Sequence, residues 1–84
     1  MAHTVRVLDI DAGRLMILEN RVKTALRKAR VKARISMVSD NLAITRQGLL
    51  DAVPVLEVNG VIVSRDTPLT LDGLVACFKA LNPE

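Results

Sequence analysis

Apolar residues fall along this chain in three distinct rhythms. Thr4 to Ile10 is rich in aliphatic and β-branched residues, the make-up of a buried strand. From Asp11 onward the spacing changes. Leu15, Leu18, Val22, Ala25, Leu26 and Ala29 recur every three or four residues and would form one stripe on a helix. Asp11 stands where an N-cap belongs, because its carboxylate can accept from the free amides of the first turn and its charge suits the positive helix end. Ala33, Ile35 and Met37 then alternate with Arg34, Ser36 and Val38, which predicts a second strand with one face partly exposed. Strand, helix and strand in that order imply a right-handed parallel crossover.

The second half is punctuated more sharply. Ser39 or Asp40 can cap a short helix carrying Leu42 and Ile44, and Gly48 can stop it. Val55 to Val58 and Val61 to Val63 flank Asn59-Gly60, a pair suited to a type I′ hairpin turn, where both central residues need positive φ. Thr70 is placed to cap a last helix with Leu71, Leu74, Val75 and Phe78 on one face, ended by Asn82-Pro83. The predicted order is β-α-β-α-β-β-α. No linker, repeat or low-complexity stretch divides it, so residues 1–84 are expected to form one domain. Met1-Ala2-His3 is expected to pack against nothing, and His3 to be a loose terminus rather than a ligand.

Size and composition narrow the picture. A chain of 84 residues buries only ~60% of the surface its unfolded form exposes. Half of its residues are apolar, however, and nearly all of these are aliphatic: there is one Phe, no Tyr and no Trp. No apolar run approaches the ~18 residues of a membrane span, and no basic start followed by an apolar stretch marks a signal peptide. The single cysteine permits no internal disulfide, which fits a reducing compartment. A bacterial or archaeal cytoplasm is the expected location, and no membrane is expected as a partner.

The net charge of +3 is unevenly spread. Arg14 to Arg34 holds eight basic residues against Glu19 alone, a net +7, so the remaining segments carry −4. Such a sided charge steers acidic partners toward one face. The basic surface of the helix comprises Arg21, Lys23, Arg27, Lys28 and Arg30. Two occupants compete for it. Nucleic acid would gain from counterion release, but the chain lacks aromatic residues to stack on single-stranded bases. The other is an acidic protein, against a background reading of a merely solvated face.

Three local features carry a family resemblance: the strand running into Asp11-Ala12-Gly13-Arg14-Leu15, the stretch from Gly48-Leu49 to Ala52-Val53-Pro54-Val55, and the valine-rich hairpin at Asn59-Gly60 followed by Pro68. The chain resembles the small glutaredoxin-like thioredoxins. Their fold implies an α/β, thioredoxin-like domain, with a four-stranded mixed sheet in the order 2-1-3-4, the third strand antiparallel to the first, and three helices. In that family the first strand-to-helix turn carries Cys-x-x-Cys, and a thiolate there is activated by the helix N-terminus. The two cysteine positions align with Ala12 and Leu15, and Arg14 matches a position where relatives carry Lys. Neither Ala12 nor Leu15 can do dithiol chemistry.

The resemblance further implies a cis peptide before Pro54, with the backbone of Val53 presented to bound peptides; read without it, Pro54 is a trans residue opening an edge strand. On this reading the chain is a redox-inactive protein-binding module, and its rim is formed by Asp11, Gly13, Arg14, Val53 and Pro54. An oxidoreductase or electron-transfer role through Cys77 or a partner's thiol is the first alternative, and a nucleic-acid-associated protein the second. Cys77, flanked by apolar residues, reads first as buried and inert. Arg14 with the free amides near Gly13 is a lesser candidate for holding a small anion, with Asp9 and Asp11 competing for the same positive end. No catalytic set, metal-ligand spacing or cofactor loop is apparent, and no metal or cofactor is expected. Aliphatic edge strands leave a homodimer open.

Overall fold

The computed structural model describes residues 3–81, in the order β1 (His3–Leu8), α1 (Ala12–Ala29), β2 (Ala33–Val38), α2 (Asn41–Arg46), a single 3-10 turn (Leu50–Ala52), β3 (Val55–Val58), β4 (Val61–Arg65) and α3 (Leu71–Lys79). The four strands form one mixed sheet in the order β2-β1-β3-β4. β1 and β2 run parallel, and β3 is antiparallel to both β1 and β4. Element order, strand order and strand direction are those expected from the sequence. The only added element is the 3-10 turn.

Each local signal has a visible cause. Asp11 caps α1 through its Oδ1, which accepts from the Arg14 N–H at 3.0 Å. The six stripe residues, Leu15 through Ala29, are the buried residues of α1. Asp40 rather than Ser39 caps α2, accepting from the Leu42 N–H at 3.0 Å. Thr70 Oγ1 caps α3 by accepting from the Gly73 N–H. In the β3–β4 hairpin, Asn59 and Gly60 take φ of 52° and 83° as a type I′ turn requires. Gly48, two residues past α2, takes a φ of 70°. There the chain reverses and the Leu49 N–H closes on the Ile44 carbonyl. The expected stop of α3 at Asn82-Pro83 lies outside the described residues.

Two expectations need correction. β1 is shifted toward the N-terminus: it ends at Leu8, not Ile10, and it includes His3, which pairs with Ala33 and meets the Asn59 side chain at 3.0 Å. Asp9 still donates its N–H to the Val38 carbonyl at 3.0 Å, and past that bond the chain turns toward the start of α1, where the Asp9 carboxylate meets Arg14. The short helix carrying Leu42 and Ile44 is present as expected, with Ile44 buried and Leu42 56% exposed. β4 extends to Arg65, and an irregularity opposite Leu56 and Glu57 offsets its register.

The core lies in two unequal layers. Val5 and Val7 of β1 with Leu56 and Val58 of β3 face α1 and α3, and Phe78, Leu74 and the α1 stripe close over them. On the other face a smaller cluster gathers Leu8, Ile44, Leu49 and Val55. Outside that cluster this second face is polar, and Arg6 meets Glu57 directly across β1 and β3 at 3.1 Å.

Candidate functional site

The sheet delivers two loops to the N-terminal end of α1. One joins β1 to α1 through Asp9 and Asp11. The other leads from the 3-10 turn through Val53 and Pro54 into β3, and the Val53–Pro54 peptide is cis. The loop after β4 comes alongside, tied by the Asp66 N–H to the Ala52 carbonyl. Between α1 and these loops runs an open groove of about 460 Å³. Val53, Pro54, Pro68 and Ile17 give it apolar walls, while Arg14, Arg21 and Asp66 supply charge.

Of the residues expected at the rim, the groove joins Arg14, Val53 and Pro54. Asp11, Ala12 and Gly13 are exposed on the first turn but do not line it, and Leu15 is buried in the core. Among the described residues no loop backbone hydrogen bond reaches the C=O of Val53, while the C=O of the preceding peptide, at Ala52, is taken by the Asp66 N–H. That leaves the Val53 carbonyl on the groove wall open to a donor from an extended ligand.

Arg14 is not free. Its Nε and Nη2 both donate to the carboxylate of Asp9, the latter at 2.7 Å. Asp9 has no solvent exposure and also accepts from the Asp11 N–H at 3.1 Å. Burial alone would push this carboxyl up; the Arg14 hydrogen bonds, the amides of Asp11 and Ile10 and the guanidinium charge outweigh it and hold the group below the usual range. The small-anion reading is therefore withdrawn: one oxygen pair fills the guanidinium fork, and Asp11 occupies the helix amide.

Cys77 lies elsewhere. It is partly buried on α3 and lines a separate hollow with Leu56, Val63 and Leu74. Desolvation pushes its thiol up, away from the thiolate that redox chemistry needs.

The basic residues divide. Arg21 turns to the groove, and its Nη1 donates to the Leu69 carbonyl at 3.1 Å, fastening α1 to the loop before α3. Lys23, Arg27 and Arg30 border a second hollow at the other end of α1, which they share with Lys32. Lys28 is exposed outside both.

Sequence reasoning had Asp9 competing for the positive end of α1 but did not foresee its burial, and it missed Ile17, Asp66 and Pro68 in the groove. For Ile17 a signal existed. Met16 and Ile17 are aliphatic yet lie off the α1 stripe, and they are 69% and 55% exposed. Asp66 and Pro68 come to the site only through the path of the loop, which no local pattern reports.

Among the described residues no group of acidic, His or Cys side chains could hold a metal ion. No helix among them is long and apolar enough to cross a membrane. No family model, curated protein or solved structure matches the chain.

Proposed function

We propose that this chain is a non-catalytic domain of the thioredoxin-like kind that binds an extended segment of another protein. The carrying observation is the groove in which the Val53 carbonyl, outside the backbone pairing of the loops, adjoins the apolar walls of Ile17, Pro54 and Pro68. Backbone pairing would give such a ligand affinity, and the flanking apolar surface would select its side chains. The first turn of α1, where the resemblance puts two cysteines, offers a methyl group at Ala12 and a buried Leu15. Cys77 is outside the groove and its thiol is disfavoured as a thiolate, which weighs against an oxidoreductase. A reducing, cytoplasmic setting suits a chain with one cysteine.

The test starts by panning a random peptide library against the protein and titrating the selected peptide while recording amide NMR spectra. The amides of Gly13, Arg14 and Val53 should move, and the exposed substitution Ile17→Asp should weaken binding by about tenfold. Shifts confined to the polar sheet face would refute the reading. So would insulin reduction by the wild type that disappears in Cys77→Ser.

A further inference from the structure

The hollow at the C-terminal end of α1 takes no part in that groove, and its construction points to a different ligand. β2 is an outer strand of the sheet. The carbonyls of Lys32 and Val38 accept from the N–H groups of His3 and Asp9. Peptide groups alternate in direction along a strand, so the even-numbered residues of β2 face β1, while Ala33, Ile35 and Met37 aim their N–H and C=O at the open edge. Beside that edge, under α1, lies a space of about 570 Å³. Its floor is apolar, made by Leu26, Val31, Ala33 and Ile35, and it continues into the main core. Its margin is cationic, with Lys23, Arg27, Arg30 and Lys32 and no acidic residue. Lys23 pairs with Glu19 at 3.6 Å; among the described residues the other three are in no ion pair. Arg30 reaches the margin from a left-handed C-cap, φ 57°, a position that glycine occupies more readily.

We propose that this cleft receives an extended acidic segment of a partner protein, which adds to β2 as an outer strand. On the side facing α1 its aliphatic side chains would rest on Leu26, Val31, Ala33 and Ile35, and carboxylates flanking them on that same side would meet Lys23, Arg27, Arg30 and Lys32. Three features select this occupant. The free peptide groups of Ala33 and Ile35 call for a strand. The floor calls for aliphatic residues at the positions whose side chains face α1. The margin calls for negative charge, which steers approach and rejects other sequences. A second copy of this chain would set its own four cations against these four. Nucleic acid would satisfy the charge but not the floor, and the lone aromatic residue, Phe78, is fully buried and cannot stack on a base.

Fluorescence anisotropy with a labelled Glu-Val peptide, which sets Val at two central positions on one side of the strand and Glu at the positions flanking them on that side, measures the binding directly. A Lys-Val peptide, an N-methylated copy of the Glu-Val peptide and a single-stranded poly(U) oligomer are the comparisons. The Glu-Val peptide is expected to bind and to weaken as salt rises. Arg27→Glu with Arg30→Glu should weaken it about tenfold or more. Both residues are solvent-exposed, and an unchanged circular dichroism spectrum and melting curve confirm that the pair folds. The N-methylated peptide should lose binding, and the amides of Ala33 and Ile35 should shift while that of Val53 stays in place. Equal binding of the N-methylated peptide, tighter binding of poly(U), shifts at Val53 instead, or no binding of the Glu-Val peptide would each overturn the proposal. Because the two surfaces report through different amides, failure here is distinguishable from failure of the groove.

Discussion

A carboxylate with no solvent contact would ordinarily keep its proton, but Asp9 sits among donors that reverse this preference. Arg14 supplies two of them from the next element and Asp11 a third from the backbone. Asp9 thereby couples the end of β1 to the first turn of α1, which is also one bank of the groove. Replacing it by Asn keeps the shape and removes the charge, and is expected to cost about 2 kcal/mol at neutral pH. The folded state holds Asp9 ionised more firmly than the unfolded chain does. Its contribution is therefore complete above the ordinary carboxylate range and vanishes as pH falls through the lower native value. Urea unfolding of wild type and Asp9→Asn should then converge below about pH 4. A constant gap across that range would mean that the charge is not what stabilises the junction.

At the scale of elements, periodicity is the part of the fold most directly written in the sequence. The α1 stripe is legible because one helix face meets one sheet face, so spacing and burial report the same thing. The hairpin is legible because Asn59-Gly60 meets a backbone requirement that few other pairs meet. Strand ends are less so. The apolar run through Ile10 says nothing about where pairing with β2 stops, and His3 is held by partners far along the chain, Ala33 and Asn59. The candidate site was half legible: Arg14, Val53 and Pro54 follow from the resemblance, while Asp66 and Pro68 arrive by a loop path that only the assembled sheet determines. α2 falls between these cases. Its cap and stop are readable, but the burial of Ile44 depends on Leu8 and Val55 from other strands. Ile44→Ala should cost about 3 kcal/mol by leaving a cavity in a cluster with few other members. Thermal unfolding measures it, and a loss below about 1 kcal/mol would show that the smaller layer collapses without penalty.

Over the whole molecule the two sheet faces are unequally covered. α1 and α3 lie over one of them along the central strands, while α2 and the 3-10 turn cover one end of the other. Each proposed ligand surface sits at an opposite end of α1: the groove at its N-terminus, the cationic cleft at its C-terminus. Two partners could occupy them together, and variants at Arg27 and Arg30 should leave groove binding unaltered in the same titration. Affinity for the groove peptide that falls with those variants would argue for one continuous surface instead.

The modest anchoring of α2 reaches further than its own stability. The segment from Asn41 to Ala52 is held to the sheet chiefly through Ile44 and Leu49, and it runs directly into Val53. One bank of the groove therefore continues from this lightly anchored segment, while the other bank, on α1, is fixed in the main core. Native-state hydrogen exchange should find amides of α2 exchanging through a partial opening, with those of β1 and β3 released only on complete unfolding. A ligand seated against Val53 would have to quiet that motion, so it should slow exchange at Ile44 without touching it, spending part of its binding energy on order.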